Sequence, residues 1–158
     1  MGCLCSKVDL DDQYLMNCTN DEIPIFNFDQ YKCKAKIVDV YDGDTFTACF
    51  YYQKRIYKYK FRTLGYDSPE MKPLRNKPGR EQEIELAKQA REKFIELSNC
   101  QNDLVKLHMG KFDKYGRILV TVFNQRNQLN VNSEMIKLGH GYEYNGGTKK
   151  NNYNIVIN

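Results

Sequence analysis

The sequence predicts an α+β fold in which five strands close a small barrel and helices pack against it. Three observations carry that reading. Runs rich in β-branched and aromatic residues recur within residues 32–66 and 104–123, bounded by turn-forming residues. An Asp42-Gly43 pair separates the first two runs. A single long amphipathic segment follows the third, and five strands with a helix after the third fit a small closed barrel.

Residues 32–41 read as the first strand and 44–52 as the second. Asp-Gly between two such runs signals a hairpin, because glycine tolerates positive φ. Residues 55–66 form a third long run with Ile56, Tyr57, Tyr59, Phe61, Leu64 and Tyr66, closed by Pro69, which cannot donate to a ladder. Residues 72–79 hold two prolines, a glycine and the bases Lys72, Arg75 and Lys77, a composition that predicts an exposed loop. From Arg80 to Asn99 the apolar positions Ile84, Ala87, Ala90, Phe94 and Leu97 recur every three or four residues, giving an amphipathic helix with one buried stripe. Residues 104–109 and 117–123 are two further strands, and 129–130 add a short one. Met135, Ile136 and Leu138 followed by Gly139 predict a short helix stopped by glycine.

A chain of 158 residues is long enough for one domain with its own core. No apolar run is long enough to cross a bilayer, and the first residues lack the apolar segment of a secretory signal. The six cysteines show no Cys-x-x-Cys and no paired Cys/His spacing, which argues against a zinc site and against a disulfide framework, and for a reducing compartment. Charge is split along the chain. Residues 1–30 carry one base and six acids, a net of −5, whereas the remainder carries 23 bases and 14 acids, a net of +9. A basic domain behind an acidic leader points to a polyanionic partner.

Five residues have the chemistry for such a partner. Asp44 follows a tight turn and Asp67 ends a long strand, positions from which side chains meet at a barrel rim. Two carboxylates with a carbonyl and waters make an oxygen-only site, suited to Ca²⁺ and poor for zinc. Glu70 follows three residues after Asp67, behind Pro69. Arg62, from the third strand, and Arg117, after the Asp113-Lys114-Tyr115-Gly116 turn, present planar forks that donate two hydrogen bonds at once to a phosphate. Each residue alone has a plainer reading: Asp42, Asp44 and Asp67 as turn formers, Glu70 as a loop residue, the arginines as surface charges. Their co-occurrence favours the site. One constraint follows: Arg62 and Asp67 are five apart, so in a straight strand they face opposite ways. They reach one site only if the chain bulges between them, and Gly65 is the residue that permits it.

The strings Asp42-Gly43-Asp44-Thr45, Arg62 through Glu70 and Asp113-Lys114-Tyr115-Gly116-Arg117, in this order and local spacing, resemble the active site of the staphylococcal nuclease family. The resemblance runs from about Tyr31 to Tyr144. It implies an oligonucleotide-binding-type (OB-type) β-barrel with packed α-helices, and a Ca²⁺ held by Asp44, Asp67 and the backbone carbonyl of Ser68. It assigns Glu70 to activating the attacking water, Arg62 and Arg117 to the scissile phosphate, and Lys114 and Tyr115 to a terminal phosphate. Tyr142 or Tyr144 would supply the aromatic face on which a base stacks. The implied activity is hydrolysis of DNA and RNA phosphodiesters with low sequence specificity, 3′-phosphate products and a preference for single strands, by a monomer. The alternative within the same superfamily is a barrel that binds nucleic acid or protein without catalysis. The resemblance departs after Tyr144, where the family's further C-terminal helix has no counterpart. The apolar stretch Ile23–Phe28 is then expected to pack on the domain.

Met1-Gly2-Cys3-Leu4-Cys5-Ser6 fits the pattern for N-myristoylation at Gly2, with Cys3 and Cys5 placed for palmitoylation. One myristoyl chain binds membranes only marginally, and the leader's acids exclude a polybasic second signal, so acylation of Cys3 or Cys5 would have to supply it. The expected organisation is an anchor and tether over 1–30, the nuclease-like domain over 31–145 and a polar tail over 146–158. The expected location is the cytoplasmic face of a membrane, or, without acylation, the soluble interior of the cell.

Overall fold

The computed structural model describes residues 10–149. Gly2, Cys3 and Cys5 lie outside the described residues. Strands β1 (Lys32–Val40), β2 (Thr45–Tyr52) and β3 (Arg55–Thr63) form an antiparallel meander. A short strand β4 (Gly65–Asp67) and helix α2 (Arg80–Ser98) follow, then β5 (Val105–Phe112), β6 (Ile118–Asn124), helix α3 (Val131–Lys137) and a short β7 (Tyr142–Tyr144). An N-terminal helix, α1 (Leu10–Asn17), precedes them and buries no residue. Among the described residues no helix is long and apolar enough to cross a membrane.

The barrel closes in the order β1-β2-β3-β6-β5, with β5 pairing back to β1 and β3–β6 as its parallel pair. The fold is the expected α+β, OB-like barrel with packed helices. Strand alternation fills it: Phe46, Ala48 and Phe50 of β2 and Ile118, Val120 and Val122 of β6 point inward. Phe46 stacks on Phe61 and Phe94, so α2 plugs onto the barrel through an aromatic stack. The buried face of α2 is Leu86, Ala87, Ala90, Phe94 and Ser98, together with Glu83, whereas Ile84 and Leu97 are only partly buried. α3 ends as expected, with Gly139 at φ +76° and the His140 amide donating to the Met135 carbonyl (2.9 Å).

Three local expectations change. The third run is not one strand: β3 stops at Thr63, Gly65 takes φ +90°, and Gly65–Asp67 pair instead with β7. The chain therefore turns between Arg62 and Asp67 where the facing argument required. A buried asparagine secures the break. Asn132 of α3 donates to the carbonyls of Leu64 (2.8 Å) and Val120 (3.0 Å) and accepts from the Val122 amide (3.0 Å). Second, Gly43 does not use positive φ. It is required by close approach: a Cβ there would stand 2.8 Å from Ala90 Cβ and 3.0 Å from Ser68. Third, the stretch Ile23–Phe28 packs on the domain only in part, with Phe28 edge-on against Phe50, Tyr52 and Phe112. Ile23, Ile25 and Phe26 remain exposed.

Gly43 joins three parts of the site, because its carbonyl also accepts from the buried Tyr66 hydroxyl. Gly43→Ala is expected to lower unfolding stability by about 1–3 kcal/mol through overpacking. A shift of the urea midpoint checks this, and an unshifted midpoint would show that the α2 contact yields freely.

Candidate functional site

The three sequence strings meet at one end of the β2–β3 hairpin. Asp44 leaves the β1–β2 turn, where its own amide is held by the Asp42 carboxylate (3.0 Å) and its carbonyl accepts from the Thr63 amide (2.8 Å). Arg62 lies across from Thr45 in the β2–β3 register. It sends Nη1 to Asp44 Oδ1 (2.9 Å) and Nη2 to Asp67 Oδ1. Asp67 is delivered by β4 and is fully buried, and Arg62 is 8% exposed. The Ser68 amide donates to Asp44 Oδ2 (3.2 Å), so residues 44, 62, 67 and 68 form one knot.

Arg117 joins through Thr45. The Thr45 hydroxyl donates to Asp44 Oδ1 (2.8 Å), and Arg117 Nη1 approaches the same hydroxyl oxygen (3.2 Å). Arg117 is aimed by Asp113, whose Oδ2 accepts from Nε (2.7 Å) and Nη2 (2.7 Å), while Oδ1 accepts from the Tyr115 and Arg117 amides (both 2.9 Å). The Asp-Lys-Tyr-Gly turn is thus a clamp that fixes one guanidinium, with Gly116 at φ +78° closing it. Burial pushes the Asp113 carboxyl up, but these donors outweigh it and hold it below the usual carboxylate range.

Glu70 stands at the edge of the knot. Its carboxylate meets Asp67 through Lys149, whose Nζ donates to Asp67 Oδ1 (2.9 Å) and to Glu70 Oε1. Tyr142 lies opposite Asp67 in the β4–β7 ladder and donates its hydroxyl to Asp67 Oδ2 (3.1 Å). Tyr144 lines the open groove beside the site with Lys114, Tyr115 and Arg117. Tyr115 is 72% exposed, and its ring carries Lys114 Nζ at 5.0 Å and the Arg117 guanidinium carbon at 5.4 Å. Arg62, Glu70, Lys114, Tyr115, Arg117 and Tyr144 thus line one groove, and Asp44, Asp67, Ser68 and Tyr142 join it through contacts to Arg62, Asp44 and Asp67.

Four contributors escaped sequence reading: Thr45 as the link between the two arginines, Asp113 as the anchor of Arg117, Asn132 behind the strand break, and Lys149. Asp113 alone had a signal, being an Asx-turn residue four before an arginine.

The electrostatics are crowded. Burial and then the neighbouring Asp44 push the Asp42 carboxyl up to about 8. Burial also raises Asp44, against the opposing pull of Arg62. Burial pushes Asp67 up as well, but Lys149 and Arg62 outweigh it and leave it below the ordinary carboxylate range. Among the described residues no group of three or more His, Cys, Asp or Glu side chains is arranged to hold a metal ion. The donor set nonetheless fits a hard cation of the Ca²⁺ type. Asp44 and Asp67 are carboxylates brought to opposite ends of one guanidinium, without sulfur or imidazole, and would need backbone or water oxygens to complete a shell.

A family model described as "Staphylococcal nuclease homologue" matches residues 60–156. The matched span contains Arg62, Asp67, Ser68, Glu70 and Arg117, and the fold adds Asp44 from the β1–β2 turn and Thr45 from β2. No curated protein matches the chain. With more than half of its residues matched and an OB-like barrel around this knot, the chain belongs to the staphylococcal nuclease homologue family.

Proposed function

We propose that this protein is a Ca²⁺-dependent nuclease that hydrolyses phosphodiester bonds of DNA and RNA with little sequence preference. The observation that supports it best is the unbroken chain of polar contacts from Arg117 through Thr45, Asp44, Arg62 and Asp67 to Lys149 and Glu70. It gathers two arginines and three carboxylates from separate segments, the set that phosphoryl chemistry uses. The alternative, a barrel that binds without cleaving, gains nothing from keeping all five side chains in register.

Asp44 and Asp67, with the Ser68 carbonyl, would hold Ca²⁺, which when bound supplies Lewis-acid polarisation of the phosphate and a hold on water. Arg117, aimed by Asp113, and Arg62 would donate to the non-bridging phosphate oxygens as negative charge builds there. Glu70, on the exposed side of the knot, would take a proton from the attacking water. In-line attack would expel the 5′-oxygen and leave a 3′-phosphate. Lys114 and Tyr115 line the groove for a further phosphate, and Tyr144 offers a ring for base stacking, with Tyr142 committed to Asp67.

The surface supports a polyanionic substrate. Residues 45–66 hold five bases and no acid. Lys58 and Lys60 stand on the same face of β3 as Arg62, and the β2–β3 and β1–β2 registers set Lys58 beside Cys49 and Cys49 beside Lys36. Contacts of this kind go to phosphates and carry no sequence information.

The N-terminal Gly2 with Cys3 and Cys5 supports a membrane tether for the same enzyme. Replacing Gly2 with alanine is expected to move the protein from the membrane to the soluble fraction, and an unchanged distribution would remove the tether from the reading.

Incubation with plasmid DNA and with RNA in Ca²⁺ tests the nuclease itself. Arg62→Ala and Arg117→Ala are each expected to lower turnover by about 10²–10³-fold with the circular dichroism spectrum retained. Excess chelator is expected to abolish cleavage. Full activity in chelator would refute the Ca²⁺ role, and no cleavage by the native protein under any condition would favour the binding module.

A further inference from the structure

The segment after β7 places a cation inside the acidic site. Gly146 and Gly147 adopt φ +98° and +97°, a region that other residues enter only with strain. These two consecutive glycines follow Tyr144 and Asn145 and fold the chain back toward β4. The Tyr144 hydroxyl donates to the Gly147 carbonyl (2.8 Å), which tightens the turn. Lys149 then reaches Asp67 Oδ1 at 2.9 Å and Glu70 Oε1. Among the described residues, that hydroxyl bond and the two ion pairs are the polar contacts that hold residues 145–149.

Charge balance gives this contact a purpose. Asp44, Asp67 and Glu70 are carboxylates, and Arg62 answers only the first two. Asp67 is fully buried, so an uncompensated charge there is costly. Lys149 supplies the second positive charge to Asp67 and the contact to Glu70. Its side chain is still 40% exposed, so it can withdraw into water. Arg62 is enclosed and cannot leave as readily.

We propose that Lys149 is a built-in counter-ion of the divalent site: it occupies Asp67 and Glu70 in the metal-free protein and is expelled, with residues 145–149, when the cation binds. This rests on the reading that Asp44 and Asp67 hold that cation. An ammonium and a divalent ion on the same carboxylate repel each other, which disfavours joint occupancy. The lysine then lowers the apparent metal affinity by the fraction of protein in which it is seated.

Calorimetric titration of the full chain with CaCl₂, in the absence of nucleic acid, tests the competition. Lys149→Ala and Lys149→Gln are expected to bind Ca²⁺ about tenfold more tightly than the native protein. Asp44→Asn is expected to lose the binding, which identifies the titrated site. Hydrogen exchange of the backbone amides of residues 145–149 in the native protein is expected to speed up on Ca²⁺ addition. Equal or weaker Ca²⁺ binding in both Lys149 variants would overturn the proposal while leaving the metal reading intact. Exchange left unchanged by saturating Ca²⁺ would do the same, because the affinity gain would then be simple charge removal without expulsion. Absence of Ca²⁺ binding in the native protein and both variants would overturn it together with the metal reading.

Discussion

One buried guanidinium holds the functional end of this barrel together. Arg62 answers Asp44 from the β1–β2 turn with one nitrogen and Asp67 from β4 with the other. Removing a single partner from such a cluster leaves an uncompensated buried charge, a loss typically of about 3–5 kcal/mol. The two acids are 23 positions apart in the chain, so the ion pairs work as a long-range tie as well as a charge balance. Around them the fold is arranged to make the tie possible. The break at Leu64 and Gly65 lets Asp67 turn back toward Arg62, Asn132 satisfies the carbonyl exposed by that break, and Gly43 lets Ser68 and α2 close in behind Asp44.

The same region concentrates more negative charge than folding alone would favour. Asp42, Asp44, Asp67 and Glu70 converge, and burial lifts Asp42 to about 8. Arg62 and Lys149 offset this by threading between the acids. An arrangement so unfavourable in isolation fits the proposed reception of a cation, which would relieve part of that repulsion. Stability and function therefore pull on the same side chains. The strands beneath, packed through Phe46, Phe61 and Phe94, supply the rigidity that keeps them in place.

Much of this was legible in the sequence, for physical reasons that differ by element. Alternation in β2 and β6 and the spacing of Ala87, Ala90 and Phe94 reflect burial directly, so the barrel and α2 could be read. The five-residue gap between Arg62 and Asp67 demanded a bulge, and Gly65 named its place. What stayed hidden depends on contacts between distant segments. β7 is three residues long and owes its existence to β4. Lys149 acquires its role from Asp67 and Glu70, about half the chain away, and no local pattern distinguishes it from Lys150. Gly43 was marked for the wrong property, since a turn glycine and a close-approach glycine look alike until the neighbouring helix is present.

The most direct examination of the site is a crystal structure with Ca²⁺ and a non-hydrolysable phosphorothioate dinucleotide. The metal is expected between the carboxylates of Asp44 and Asp67, with the bound phosphate within hydrogen-bonding distance of both Arg62 and Arg117. A metal seated elsewhere, or a phosphate that touches neither guanidinium while Arg62 keeps both of its carboxylates, would contradict it.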